Sequence, residues 1–120
     1  MTTEIVCKVR IASGKQEAFQ RFIANATNTV RTTEAGGTLT YQFVAVDSNS
    51  SQCLVHEAYR DRAALLAHFA SMGDNLATAL ELFTVDELLI IGDMPVEIVA
   101  QLRAVVGDKL THYSHVLSQL

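Results

Sequence analysis

The 120 residues, of which 49% are hydrophobic and 18% charged, suffice for one domain with its own core and leave apolar surface for a partner. A net charge of −4 and scattered basic residues argue against a nucleic-acid-binding protein. No apolar run reaches the roughly 20 residues that cross a bilayer, and the first residues do not resemble an export signal, so we expect a cytoplasmic protein without a membrane partner.

The first half of the chain has the patterns of one strand, one helix and a hairpin. Residues 3–11 alternate between apolar and polar side chains, which predicts a half-buried strand. Apolar residues at helical spacing predict an amphipathic helix over residues 15–31. Residues 38–46 and 53–59 are rich in strand formers, and the polar run 47–51 between them predicts a turn.

The second half continues with helix, strand, helix and strand. Residues 62–83 keep a helical rhythm with a weak point at Gly73, which allows two short helices instead of one. Residues 86–91 predict a fourth strand, residues 95–107 a helix, and residues 110–117 a fifth strand. For this last part we favour protection of the sheet edge over a lid on a pocket or a crossing to another protomer.

The order of these elements predicts the fold class. The arrangement β-α-β-β-α-β is that of an α+β, ferredoxin-like fold in which helices cover one face of an antiparallel sheet. We therefore expect a single domain over residues 1–120, with a core at 3–91 and an extension at 92–120. The uncovered face would carry Val6, Val44 and Val46 among polar residues, and such a mixed surface predicts a homodimer that packs sheet against sheet.

One strand and the helix after it carry the side chains best suited to chemistry. Glu57 and Tyr59 point to the same face of the third strand. His68 lies two helical turns beyond Asp61, whose carboxylate is placed to cap that helix, and would face a cavity between sheet and helices. A structural interpretation competes, in which His68 is a core residue bonded to a carboxylate or carbonyl and Glu57 anchors a loop or helix end.

The cysteines and the other histidines suggest no metal site. Cys7 and Cys53 lie within apolar stretches, which favours buried reduced thiols over a disulfide framework or a structural zinc site. His112 and His115 would fall on opposite faces of the last strand and so form no metal-binding pair. His56 points away from the predicted cavity, towards the dimer face.

One segment resembles the signature of a known family, the antibiotic biosynthesis monooxygenase domains. The resemblance lies in His56-Glu57-Ala58-Tyr59-Arg60-Asp61 followed by Ala63, Leu66 and His68, and in the earlier residues Glu34, Gly37, Leu39 and Tyr41. It covers roughly residues 3–91. The resemblance implies the dimeric α/β-barrel form of the ferredoxin-like fold, in which the sheets of two protomers pack together.

The resemblance also implies an activity. Oxygenases of this type use no metal or flavin; they hold an electron-rich phenol or quinol and help to deprotonate it. The chain would then be a cofactor-independent monooxygenase for a small aromatic or quinol-type ligand, with His68 as base or donor and with Glu57, Tyr59, Tyr41 and Cys7 around the substrate. The absence of Trp, and Cys7 where haem-degrading relatives have Asn, count against haem cleavage.

Two alternatives stay open at this point. The chain could be a dimeric ligand-binding or structural module that kept the fold without the chemistry. It could also be an isomerase or a degradative enzyme that uses the same pocket for proton transfer without oxygen.

Overall fold

A computed structural model of the chain describes residues 2–73 and 75–120 and places all strands in one sheet. In chain order the elements are β1 (Thr3–Ile11), α1 (Gln16–Thr33), β2 (Thr38–Val44), β3 (Gln52–Tyr59), α2 (Arg62–Met72), α3 (Asn75–Leu82), β4 (Phe83–Ile91), α4 (Val96–Val106) and β5 (Leu110–Tyr113). This order confirms the predicted α+β class and its ferredoxin-like arrangement.

The sheet has the strand order β2-β3-β1-β4-β5. The first four strands are antiparallel to their neighbours, with Cys7 of β1 opposite Val55 of β3 and Leu88 of β4. The sheet of one chain does not close into a barrel, so the barrel that the resemblance implies would require a second chain.

The added strand β5 runs parallel to β4 and covers its free edge, as expected. It ends at Tyr113, earlier than the predicted residue 117. His115 therefore lies beyond the strand, and the prediction that it shares a strand with His112 is wrong.

The helices lie on one face of the sheet and form the core with it. The alternation of β1 places Ile5, Cys7, Val9 and Ile11 under the helices, each at most 9% exposed. Phe19 of α1, Leu65 of α2 and Ile98 of α4 are also buried in this core.

The predicted helix over residues 62–83 is divided into α2 and α3. Asp61 caps α2 by accepting a hydrogen bond of 2.9 Å from the backbone N–H of Ala64, and α2 ends at Gly73. Asp74, which falls within the predicted helix, lies outside the described residues. Phe83 continues the helical spacing in sequence but pairs with Ile11 in the sheet, so β4 begins three residues earlier than predicted.

The other face of the sheet is formed by outward residues of the five strands and is called the open face; no helix from the described residues lies on it. Its middle is apolar, with Val6 of β1 opposite Leu89 of β4. Towards one end, Lys8 lies 3.6 Å from Glu87, and a similar pair joins Arg10 and Asp86 at 3.3 Å. Among residues 2–73 and 75–120, no helix has both the length and the apolar character that spanning a membrane requires.

Candidate active site

A cavity of about 300 Å³ lies between the sheet and the helices. Its wall is mostly apolar, and every helix contributes to it, with Phe22 from α1, Phe69 from α2, Leu76 from α3 and Leu102 from α4. The side chains in the wall that can exchange protons or donate hydrogen bonds are Cys7, Tyr41, Glu57, His68 and Gln101. A small apolar cavity with a few converging polar groups is typical of a ligand site.

His68 lies at this cavity and is held between two carboxylates. The ring is 3% exposed, with Nδ1 2.9 Å from Oε1 of Glu34 and Nε2 3.2 Å from Oε1 of Glu57. A neutral imidazole has one N–H group and could donate to only one of these carboxylates, whereas an imidazolium donates to both. The geometry therefore favours a charged His68.

The pKa of His68 is raised above its ordinary value of 6.5 by the two carboxylates. Burial acts in the opposite direction and is the largest influence, but the hydrogen bond and charge of Glu57, with the charge and hydrogen bond of Glu34, outweigh it. The carboxylates on both sides therefore favour the protonated, positively charged form of the ring. Of the two roles expected for His68, base or donor, this arrangement favours the donor.

Glu34 follows the last residue of α1 and is buried. Its Oε1 accepts hydrogen bonds from Thr38 at 2.7 Å and from His68, while Oε2 accepts one of 2.9 Å from the Ser71 hydroxyl. Burial would raise the pKa of this carboxyl, but the hydrogen bonds and the charge of His68 lower it below its usual value. The sequence reasoning did not assign Glu34 to the site, although it belongs to the segment that resembles the family.

Glu57 presents a free acceptor to the cavity. Its Oε1 accepts a hydrogen bond from the Tyr59 hydroxyl and lies 3.2 Å from His68 Nε2, within ion-pair distance. No hydrogen bond from the described residues reaches Oε2, and the side chain is 15% exposed, so this oxygen is not sealed in the core. A ligand that donates a proton or a hydrogen bond would meet Oε2.

The two tyrosines take different positions. Tyr59 is fully buried beside the His68 ring, with ring centres 5.1 Å apart, and reaches the site through Glu57 and not through the cavity wall. Tyr41 lies in the wall itself, with its ring centre 5.4 Å from that of His68. Burial and, less strongly, the charge of Glu57 raise the pKa of both phenols, so both keep their protons at neutral pH.

Cys7 forms part of the cavity wall from β1. Burial, followed by the charge of Glu57, raises the pKa of its thiol to about 12. The neutral thiol is a small, nearly apolar part of the wall and not a nucleophile.

The remaining histidines lie away from the cavity. His56 is on the open face, with Nε2 2.8 Å from Oε1 of Glu4, and His112 Nε2 is 2.7 Å from the carbonyl oxygen of Gly92. In the described part of the chain, no cluster of three or more His, Cys, Asp and Glu side chains is arranged to hold a metal ion.

The extension at residues 92–120 contributes to the site as well as to the sheet. Gln101, Leu102 and Val105 of α4 line the cavity, while β5 covers the edge of β4. This segment therefore both protects the edge of the sheet and forms part of the cavity wall.

Comparison with known proteins assigns the family. The sequence model of the family described as antibiotic biosynthesis monooxygenase matches residues 4–73. The chain belongs to this family. The matched segment contains Glu34, Glu57 and His68 and stops before α3, and it confirms the resemblance seen in the sequence. Members of the family are commonly dimeric and bind small molecules.

Solved structures with the same fold include three that cover most of this chain. MupZ from Pseudomonas fluorescens is 22% identical, with a TM-score of 0.72 over 99% of this chain and 93% of that one. Rv0793 from Mycobacterium tuberculosis is 18% identical, with a TM-score of 0.64 over 79% of this chain and 97% of that one. A candidate antibiotic biosynthesis monooxygenase from Chloroflexus aurantiacus is 16% identical, with a TM-score of 0.60 over 80% of this chain and 99% of that one. At these identities the similarity shows the fold, and no curated protein matches the chain.

Proposed function

We propose that this chain is a cofactor-independent monooxygenase that acts on a small aromatic ligand of the phenol or quinol type in the cavity. The observation that supports this most directly is the free Oε2 of Glu57, which faces an apolar cavity while Oε1 is held by His68 and Tyr59. Membership of the monooxygenase family agrees with this reaction class.

The first step would be removal of the ligand's hydroxyl proton. A phenol bound in the cavity donates its O–H to Oε2 of Glu57, which takes the proton as a general base. The Tyr41 hydroxyl then donates a hydrogen bond to the phenolate oxygen, and the positive charge of His68 stabilises the negative charge nearby. The apolar wall keeps water away from the electron-rich ring.

The second step would be the reaction with oxygen. The phenolate supplies four electrons to O2, so that one oxygen atom bonds to a ring carbon and the O–O bond breaks. The proton held by Glu57 and the proton lost from the reacting ring carbon leave with the other oxygen atom as water. A phenol and O2 thus give a quinone and water, with the substrate itself as the reductant.

Oxygen uptake by the purified protein, measured against a panel of hydroquinones and polycyclic phenols, tests this proposal. Glu57→Gln keeps the shape and the acceptor at Oε1 but cannot take a proton, so we expect turnover to fall by about 10²–10⁴-fold. Glu81→Gln, at an exposed residue of α3, is the matched control and should have no effect. Absence of uptake with every compound, or uptake that survives Glu57→Gln, would contradict the proposal.

The same groups suit a second reaction class. Glu57 and Tyr41 place a base and a proton donor in the wall of one cavity, and an isomerase or a degradative enzyme needs that pair for proton transfer without oxygen. Product formation under strictly anaerobic conditions would favour this candidate. Ligand binding without turnover, unchanged by Glu57→Gln, would instead favour a binding module.

We also infer a homodimer that packs through the open face. Val6, Leu54 and Leu89 form an apolar middle on this face, which no helix covers, and Val44 is 41% exposed beside them. Burial of this apolar area against a second copy would be favourable. The common dimerisation of the family agrees with this arrangement.

A further inference from the structure

We propose that Glu34 is a positioning residue that holds His68 as a cation at neutral pH and directs its second N–H towards Glu57. The inference extends the proposed function, in which Glu57 is the base. It assigns His68 to the support of that base and not to proton removal, and it gives Glu34 a role in turnover without contact with the substrate.

The geometry of the ring supports this assignment. Glu34 Oε1 lies 2.9 Å from Nδ1 and Glu57 Oε1 lies 3.2 Å from Nε2. When both carboxylates are ionised, each is best satisfied by a proton on the nitrogen that it faces. The two contacts also fix the plane of the ring, because they lie at opposite ends of it. With both nitrogens engaged, His68 has no lone pair with which to accept a proton from a ligand.

Glu34 is itself held in place by two further elements. Thr38, the first residue of β2, donates to Oε1 at 2.7 Å, and Ser71 near the end of α2 donates to Oε2 at 2.9 Å. Hydrogen bonds to both oxygens favour the ionised carboxylate. The Glu34 carboxylate is therefore held in position beside His68 before any ligand binds.

Two charged side chains contact the His68 ring, and each comes from a different part of the fold. Glu34 follows α1 and Glu57 lies on β3; these are the carboxylates that contact the ring. Tyr41 of β2 and Tyr59 of β3 lie beside the ring as neutral phenols, with ring centres 5.4 and 5.1 Å from that of His68. Removal of the charge at Glu34 should thus change the protonation of His68 more than any other single substitution that leaves Glu57 intact.

A purely structural purpose is a weaker explanation. Burying an ion pair costs desolvation energy, and well-packed apolar residues stabilise a core equally well or better. Here the buried charges are arranged in a line from Glu34 through His68 to Glu57, and the far end of the line opens into the cavity at Glu57 Oε2.

Nitrogen-detected NMR of the imidazole rings in the intact protein tests the inference. The His68 signals are assigned by their absence in His68→Asn. We expect both ring nitrogens of His68 to carry protons at neutral pH in the unmodified protein. In Glu34→Gln the ring should lose its proton about one pH unit or more lower, because the opposite charge is gone. Glu34→Asp keeps the charge and should restore much of the difference, and Glu81→Gln should change nothing.

Activity is the second readout, on any substrate that the protein turns over. Glu34→Gln should lower kcat/KM at least tenfold, and Glu34→Asp should recover part of it. A merely structural role for Glu34 would lower stability without moving the titration of the ring.

Two outcomes would overturn the inference: a His68 ring with a single N–H at neutral pH in the unmodified protein, or an unchanged titration in Glu34→Gln. If Glu34→Gln does not fold, the unmodified protein and Glu34→Asp still decide the charge of the ring. If the ring titrates as expected but no oxygen is consumed, the proposed oxygenase activity fails and the assignment of His68 as a cation held by Glu34 stands.

Discussion

Glu34 and His68 lie 34 residues apart in the sequence, yet their side chains share a hydrogen bond of 2.9 Å and are only 5% and 3% exposed. This contact ties the end of α1 to α2 in the folded state only. The protonation of each group therefore affects the free energy of unfolding, which makes stability depend on pH.

The contribution of Glu34 and His68 to stability should be greatest in weakly acidic solution. The pKa of His68 is raised by folding, so its contribution is full below its ordinary value of 6.5 and is lost as the pH rises through the folded-state value. The pKa of Glu34 is lowered, so its contribution is full above its ordinary value of 4.5 and is lost as the pH falls through the folded-state value. Both groups therefore contribute fully to stability between about pH 4.5 and pH 6.5.

Urea unfolding at a series of pH values measures this effect as the difference between the unmodified protein and His68→Gln. The difference in the free energy of unfolding should be largest in that window and should shrink in alkaline solution. A difference that does not vary with pH would show that the pair is not ionised as we describe.

Tyr59→Phe should cost about 1 kcal/mol of stability, because the ring still packs beside His68 while Glu57 loses the hydrogen bond from the hydroxyl. Turnover should fall less than in Glu57→Gln, since the base remains. Chemical denaturation and oxygen uptake measure the two effects. Tyr113→Phe, at a residue that is 54% exposed, is the control and should match the unmodified protein.

Leu89→Arg should convert the protein to a monomer, because it places an unpaired charge in the apolar middle of the open face. Light scattering coupled to size-exclusion chromatography measures the mass. Leu66→Arg introduces the same charge on α2, at a residue that is 44% exposed, and should leave the dimer intact. A dimeric Leu89→Arg protein, or a monomeric unmodified protein, would argue against this interface.

Removal of residues 92–120 should cause aggregation. The deletion uncovers the edge of β4 and removes the α4 wall of the cavity, so backbone groups and apolar side chains become exposed together. Removal of residues 114–120 alone spares both elements and should yield a soluble, folded protein. Static light scattering compares the two, and a soluble dimer of residues 1–91 would disprove the prediction.

Thiol alkylation should be slow in the native protein and fast in urea. Cys7 and Cys53 are both 8% exposed, and burial raises the pKa of both thiols, that of Cys7 to about 12. The reactive thiolate is therefore scarce and hard to reach. Mass spectrometry after timed exposure to iodoacetamide counts the modified residues; rapid labelling of Cys7 in the native state would mean that the cavity wall opens easily.

Strict local patterns made much of the fold predictable. The alternation of residues 3–11 predicted the bounds of β1 and which of its residues face the core, because apolar side chains recur at every second position. Gly73 marked the division between α2 and α3. The β1 alternation and the helix break at Gly73 were predictable because each is determined by residues close together in the sequence.

The start of β4 was missed because its alternation is interrupted. Val85 pairs with Val9 and Glu87 with Lys8, so Asp86 is an extra residue that forms a β-bulge. The inward residues Val85 and Leu88 are consequently three positions apart instead of two, which hides the strand period.

The site was predictable where its residues are close in sequence. Glu57, Tyr59 and His68 lie on one strand and the helix directly after it, so their common direction follows from strand and helix geometry. Glu34 reaches the same place from the end of α1, and its partner is set by how α1 and α2 pack on the sheet. No periodicity within the sequence carries that information.

The cavity wall formed by α4 affects the shape of the cavity and not its proton-exchanging groups. The groups that exchange protons all belong to the segment shared with the family, whereas Gln101, Leu102 and Val105 lie outside it. Substitutions in α4 can thus change the size and outline of the molecule that fits without touching the acid and base that would act on it. Substitutions confined to this one helix would then change which ligand fits, and the proposed reaction would stay the same.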